Sequence, residues 1–240
     1  MAELMRLDRF ISSQVGNLSR KDVKELCKKN LITVNGIPAK RSDDKVNPKL
    51  DIISVKGNEI SYNKYIYIML NKPQGYVCST RDGLSPTVLS LLPKELQRKG
   101  LFPAGRLDKD TEGFVLITDD GELSHKMLSP KNHVPKKYYV ELEKPIGNDY
   151  IKIFSSGMEI DNGDICKPSE LIPISNNPNS CYVILHQGMY HQVKRMFETL
   201  GNKVVFLKRI SIGGLSLDEN LALGEWLVLL HKDVERILLI

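Results

Sequence analysis

Apolar positions repeat every three to four residues near the N-terminus of the chain and every two residues further on. Leu7, Phe10, Ile11 and Val15 fall at helical spacing and predict an amphipathic helix that ends at Gly16-Asn17. Ser19-Arg20-Lys21-Asp22 has the form of a capping box, with the Ser19 hydroxyl accepting from the Asp22 amide while the Asp22 side chain reaches back. The helix that follows buries Val23, Leu26 and Cys27 and turns Arg20, Lys21, Lys24, Lys28 and Lys29 outward. Two extended runs, 31–34 and 37–40, meet at Asn35-Gly36, the favoured pair for a tight hairpin because both central residues take positive φ. Residues 51–55 read as a closing strand. The first unit is therefore expected over 1–58, a polar linker over 59–64, and a second domain over 65–240.

In that second domain, 65–70, 114–118, 138–142, 181–185, 204–207 and 226–230 are apolar, β-branched runs predicted as strands. Helical turns are expected within 86–98, 122–128 and 149–155, the second of them stopped by Ser129-Pro130. Hairpin signals stand at Asp161-Asn162-Gly163 and at Asn176-Asn177-Pro178-Asn179. Strands joined by hairpins, with helices placed irregularly, predict an α+β domain around a mainly antiparallel mixed sheet. One further helix, from His191 to Leu200, has Val193, Met196, Phe197 and Leu200 on one side and His191, Lys194, Arg195 and Glu198 on the other, with Gly201 placed to cap it.

Composition changes this picture in one respect. The net charge of +5 is uneven: residues 1–60 hold 12 Lys+Arg against 8 Asp+Glu, whereas residues 61–240 hold 22 against 21. The excess sits in the first unit, the pattern of a polyanion-binding module on a nearly neutral body. No run of about 20 apolar residues suits a bilayer, so no membrane association is expected and a cytoplasmic location is the default. The four cysteines are far apart and read as reduced thiols in packing roles.

The candidate chemistry lies in the stretch from Gly105 to Thr118, a charged loop bracketed by glycines that runs into a strand. Asp108, set beside basic residues on a loop held by a strand, suits reaction chemistry better than packing. Asp110 and Asp120 raise a counter-reading, a Mg²⁺ site or an acid/base pair with Asp108. It is disfavoured because Asp108 and Asp110 would point to opposite sides if extended, and because the block ends in a Gly turn.

Two resemblances extend the reading. Residues 6–55, "RLDRFISSQ…SRKDVKELCKKNLITVNG", resemble the S4-like RNA-binding domain, which implies that Arg6, Arg20, Lys21 and Lys24 grip RNA phosphates. The blocks "MLNKPQGYVCST", "PAGRLDKDTEGFVLITDDGEL", "KKYYVEL" and "GMYHQVKRMF", in that order, resemble the RsuA group of pseudouridine synthases. That likeness implies Asp108 as catalytic nucleophile, Arg106 as the residue filling the gap left by the extruded nucleotide, Tyr138 stacking on the uracil and Lys194 paired with Asp108. Tyr190 is a ring at the same loop; Arg195, Lys72 and His191 are expected to contact phosphate or base. The reaction implied requires no cofactor and no metal, since uracil leaves its sugar through nitrogen and rejoins through carbon. The implied partner is rRNA, with 16S rRNA favoured by "YIMLNKPQGYVCST" and "YHQVKRMF", and the protein is expected to act as a monomer. The alternatives are a large-subunit rRNA target and a non-catalytic rRNA-binding assembly factor.

Overall fold

The computed structural model describes residues 4–81, 83–129, 132 and 134–239. The chain forms two compact units, Met1–Ile66 with Leu92–Leu101, and Tyr67–Leu91 with Phe102–Ile240.

In the first unit, β1 (Met5–Arg6) leads into α1 (Leu7–Gln14), and α2 (Arg20–Lys28) begins at the predicted capping box: Asp22 N donates to Ser19 Oγ and Ser19 N to Asp22 Oδ2. β2 (Ile32–Val34) and β3 (Ile37–Pro38) turn at Asn35 and Gly36, both at positive φ. β4 (Lys45–Val46) pairs with β1, and β5 (Ile53–Val55) with β2. Leu7, Phe10, Ile11, Val23, Cys27, Ile32 and Ile53 form the core.

The segment expected as a linker over 59–64 begins as a strand, and residues 61–64 carry none. β6 (Asn58–Ile60) pairs antiparallel with β5 across a turn at Lys56 and Gly57, whose φ values are +51° and +82°. It lies at the sheet edge, in the order β3-β2-β5-β6, and an edge strand facing solvent carries polar side chains, which is why it read as a linker. The unit also takes in Leu92–Leu101. Gly16 N donates to Glu95 O at 3.0 Å, and a Cβ at Gly16 would collide with the Gln97 backbone. Arg98 donates to the carbonyls of Asn63 and Lys64.

The second unit is built on a nine-stranded sheet. β7 (Tyr67–Lys72), β8 (Phe102–Ala104) and β9 (Glu112–Thr118) are followed by α3 (Gly121–Leu128), capped by Asp120. The Pro130 expected to stop α3 lies outside the described residues. β10 (Lys136–Leu142), α4 (Tyr150–Ser156), the hairpin of β11 (Met158–Ile160) and β12 (Asp164–Cys166), then β13 (Glu170–Ile174) and β14 (Asn177–Leu185) come next. α5 (Gln192–Thr199), β15 (Val204–Ile212), β16 (Leu215–Ser216), β17 (Trp226–Val228) and α6 (His231–Ile237) complete the chain.

The sheet order is β13-β14-β10-β15-β9-β7-β17, with β16 on β15 and β8 on β9. Its pairs are antiparallel except β9 with β15, so the fold is the α+β arrangement with a mainly antiparallel mixed sheet that the sequence predicts. The parallel pair brings Gly113 against Arg209 so closely that a Cβ there would strike the Arg209 backbone, and φ at Gly113 is +101°. Two apolar clusters hold the layers. In one, Phe154 of α4 and Phe197 of α5 pack with ring centroids 5.1 Å apart over Val140, Val183 and Leu207. In the other, Leu123 and Met127 of α3 and Val234 and Ile237 of α6 cover Met69, Phe114 and Leu116. The 226–230 run is not one strand: β17 stops at Val228, and Asp233 accepts from Leu230 N to start α6. Among the described residues no helix is long and apolar enough to cross a membrane.

Candidate active site

The loop from Gly105 to Thr111 is shaped by donors that seize its backbone. Gly105, at φ +80°, follows β8. Arg209, on β15 and only 2% exposed, sends its guanidinium to the carbonyls of Gly105 at 2.8 Å, Phe114 at 2.8 Å and Arg106 at 3.5 Å. Lys72, at the end of β7, is fully buried and donates to Thr111 O at 2.7 Å, Pro73 O at 3.1 Å and Lys109 O at 3.2 Å. Gly75 N also donates to Lys109 O, Leu107 N donates to Cys78 Sγ, and Thr111 N closes the turn on Asp108 O. The loop is therefore fixed through its main chain, and buried carbonyls are satisfied by buried cations.

That support carries a partly exposed Asp108 carboxylate. His191 Nε2 lies 3.3 Å from Oδ1 and Lys194 Nζ 3.6 Å from Oδ2. Lys194 makes its shorter contact elsewhere, 2.6 Å to Asp110 Oδ1. The expected Lys194–Asp108 contact is present and is shared: the loop turns at Asp108 instead of running extended, so Asp110, expected on the opposite side, reaches the same ammonium. Partial burial pushes the Asp110 carboxyl up, and the hydrogen bond and charge of Lys194 pull it further down, leaving it below its ordinary value.

His191 occupies the cap position of α5 with φ +48°, and its ring stacks on Tyr190 at 3.8 Å between centroids. Tyr190 itself is 73% exposed, so it is a surface ring and not a packed one. Tyr138, half-buried on β10 and paired in register with Arg209, lines the same cleft of about 760 Å³ as Arg106, Asp108, Tyr190 and His191.

Two expected contact residues do not reach this cleft. Lys72 is buried and spends its ammonium on three carbonyls, so it is a strut of the loop and not an RNA contact at the surface. Arg195 faces the β11–β12 hairpin, with Nε 2.6 Å from Asp161 and Nη2 2.7 Å from Asp164, and these hydrogen bonds raise its pKa. In the first unit Arg20, Lys21 and Lys24 are exposed on α2, while Arg6 forks onto Asp8 through Nε and Nη2. Three residues were missed by sequence reasoning: Arg209, Lys136 and Cys78. The first two are charges at strand positions whose side chains face inward, Lys136 at the start of β10 and Arg209 within β15, each beside a second basic residue.

Among the described residues no group of three or more His, Cys, Asp or Glu is arranged to hold a metal ion. A family model described as RNA pseudouridylate synthase matches residues 66–199, and a model of the S4 domain matches residues 5–52. The chain is 44% identical to the ribosomal small subunit pseudouridine synthase A of Salmonella typhimurium, over 96% of this chain and 98% of the relative. It is 43% identical to the protein of the same name in Escherichia coli K12, again over 96% and 98%, and 43% identical to the uncharacterized RNA pseudouridine synthase YtzG of Bacillus subtilis, over 96% and 97%. A solved structure, the crystal structure of a pseudouridylate synthase, superposes with a TM-score of 0.68 at 37% identity, covering 97% of this chain and 99% of that one. Matched over more than half its length by the family and nearly end to end by these relatives, the chain belongs to the RNA pseudouridylate synthases and is an isomerase of that family.

Proposed function

We propose that this enzyme converts one uridine of small-subunit (16S) rRNA to pseudouridine, with Asp108 as nucleophile and the target nucleotide turned out of its helix into the cleft. The rRNA target is supported by the relatives named as small-subunit synthases and by the S4 domain of the first unit. The observation that carries the chemistry is the Asp108 carboxylate, partly exposed in the cleft between His191 and Lys194, with Tyr138 in the same walls.

The isomerisation breaks the N1–C1′ bond of the nucleotide and makes a C5–C1′ bond; C5 gives up a proton and N1 gains one. Atoms and electrons balance without a redox partner. The Asp108 carboxylate supplies the electron pair, at C1′ of the sugar or C6 of the base, or assists departure of the base. Lys194 and His191 hold its orientation from α5, a rigid element. A base inside a helix is out of reach of such a side chain, so it is extruded at a cost of a few kcal/mol. Stacking on Tyr138 and insertion of Arg106 into the vacated gap offset part of that cost. Arg20, Lys21 and Lys24 add phosphate contacts that carry no sequence information. We take the enzyme to act as a monomer and in the cytoplasm, where rRNA is found.

The test is release of tritium from 5-³H-uridine in a 16S rRNA fragment. Asp108→Asn is expected to bind the fragment normally and to lose at least about 10³-fold in rate. Equal release from both proteins removes Asp108 from this role. Mapping pseudouridines in rRNA from cells lacking the gene is expected to show one missing 16S position; a missing 23S position instead moves the target to the large subunit.

A further inference from the structure

The cleft holds one buried cation that the proposed reaction has not used. Lys136 stands two residues before Tyr138 on β10, so both side chains project from the same face of the sheet and both line the 760 Å³ cleft. Lys137 between them points the other way, its ammonium 4.4 Å over the Tyr182 ring. Lys136 is only 8% exposed, yet among the described residues its single hydrogen bond runs to Met127 O at 3.4 Å. Lys72 and Arg209, buried more deeply still, each satisfy three carbonyls. A lysine this deep with open donor positions calls for an acceptor brought in from the cleft.

We propose that Lys136 donates to a carbonyl oxygen of the uracil stacked on Tyr138, selecting uracil by its acceptor edge and taking up negative charge that develops on the base when the glycosidic bond breaks. This assignment rests on the proposed placement of uracil against Tyr138. Side chains two apart on a strand stand roughly 7 Å apart, so the long Lys136 side chain can reach an exocyclic oxygen at the rim of a base stacked on Tyr138. An ammonium is donor-only, so it accommodates the O4 of uracil and repels the amino group that cytosine carries there. A backbone phosphate is the rival acceptor; the depth of Lys136, 8% exposed, favours an extruded base over a charged, hydrated phosphate.

Burial, and then the charge of Arg209, bring the Lys136 ammonium down to about 8. The other charged or titratable groups in the cleft are Cys78, Arg106, Asp108, Tyr190 and His191, besides Tyr138.

The experiment uses the full chain as wild type, Lys136→Met and Lys136→Arg. Titrated with UMP and CMP by NMR, wild type is expected to prefer UMP by about tenfold and Lys136→Met to bind the two equally. In single-turnover tritium release at saturating rRNA fragment, Lys136→Met is expected to lose about 10²-fold with unchanged RNA affinity, and Lys136→Arg to recover part of the loss. The wild-type rate falls as pH rises through about 8, and the Lys136→Met rate does not. A Met variant that keeps the UMP preference and the alkaline fall overturns the assignment, whether its rate is normal or reduced; a reduced rate then marks a structural role. If wild type releases no tritium from any rRNA fragment while UMP selectivity still follows Lys136, it is the proposed reaction that fails and the Lys136 subsite that stands.

Discussion

The exposed face of α2 and the surroundings of the Asp108 loop use their cations in opposite ways. On α2 of the first unit, Arg20, Lys21 and Lys24 are exposed, and their side chains make no hydrogen bond or ion pair among the described residues. In the second unit Lys72, Lys194, Arg195 and Arg209 are each bonded to a named carbonyl or carboxylate. Charges of the first kind act at a distance, are screened by salt and substitute for one another. Charges of the second kind act through geometry, and each has one position in which it works. A basic residue is therefore no guide to RNA contact until its partners are known, as Lys72 and Arg195 illustrate.

Changing one cation in each region tests that contrast. The largest effect is expected at Lys72→Met, which removes the ammonium from Thr111 O and Lys109 O of the Asp108 loop and from Pro73 O, leaving Lys109 O with Gly75 N alone. It should lower stability by about 3 kcal/mol, read from urea unfolding, and reduce turnover further because the loop loses its shape. Stability unchanged from wild type would show that the loop does not hang from this side chain. The double substitution Arg20→Glu with Lys24→Glu should leave stability unchanged but weaken RNA binding at low salt at least about tenfold, and flatten the slope of log affinity against log salt by about 2. An unaltered slope would take α2 out of the RNA contact.

The smallest effect is expected at Asp110→Asn. The Asp110 carboxyl is held below its ordinary value of 3.8, so its stabilisation is present above that pH and is lost as pH falls through the lower, folded value. With 68% of the side chain exposed, the contribution is under about 0.5 kcal/mol. Wild type and Asp110→Asn should differ slightly in melting temperature at pH 7 and converge in strong acid. A difference that grows on acidification would contradict the Lys194 pairing.

Much of the fold was legible because local rules agree with the final structure. The Ser19–Asp22 box, the Asn35-Gly36 turn and the apolar stripe of α5 are each specified within ten residues and need no distant partner. The misreadings share a cause as well. β6 is polar because it is a sheet edge, and Leu92–Leu101 joins the first unit through hydrogen bonds to residues more than thirty positions away. In the cleft, Asp108, Arg106 and Tyr138 were found through their motifs. Arg209 was not, because nothing near it in sequence shows that it reaches the carbonyls of residues 105 and 106. Lys136 reads in the sequence as a lead-in to a strand of which it is the first member.

The way Lys72 and Arg209 hold the loop bears on what else this scaffold can carry. Their grip falls on main-chain oxygens, which every amino acid possesses, so the seat under position 108 is indifferent to the side chain that occupies it. A cysteine or glutamate installed there would inherit a rigid perch in a roomy cleft beside an imidazole and an ammonium. The design separates the platform from its warhead, and the chemistry at that one position can be exchanged without rebuilding what lies beneath it.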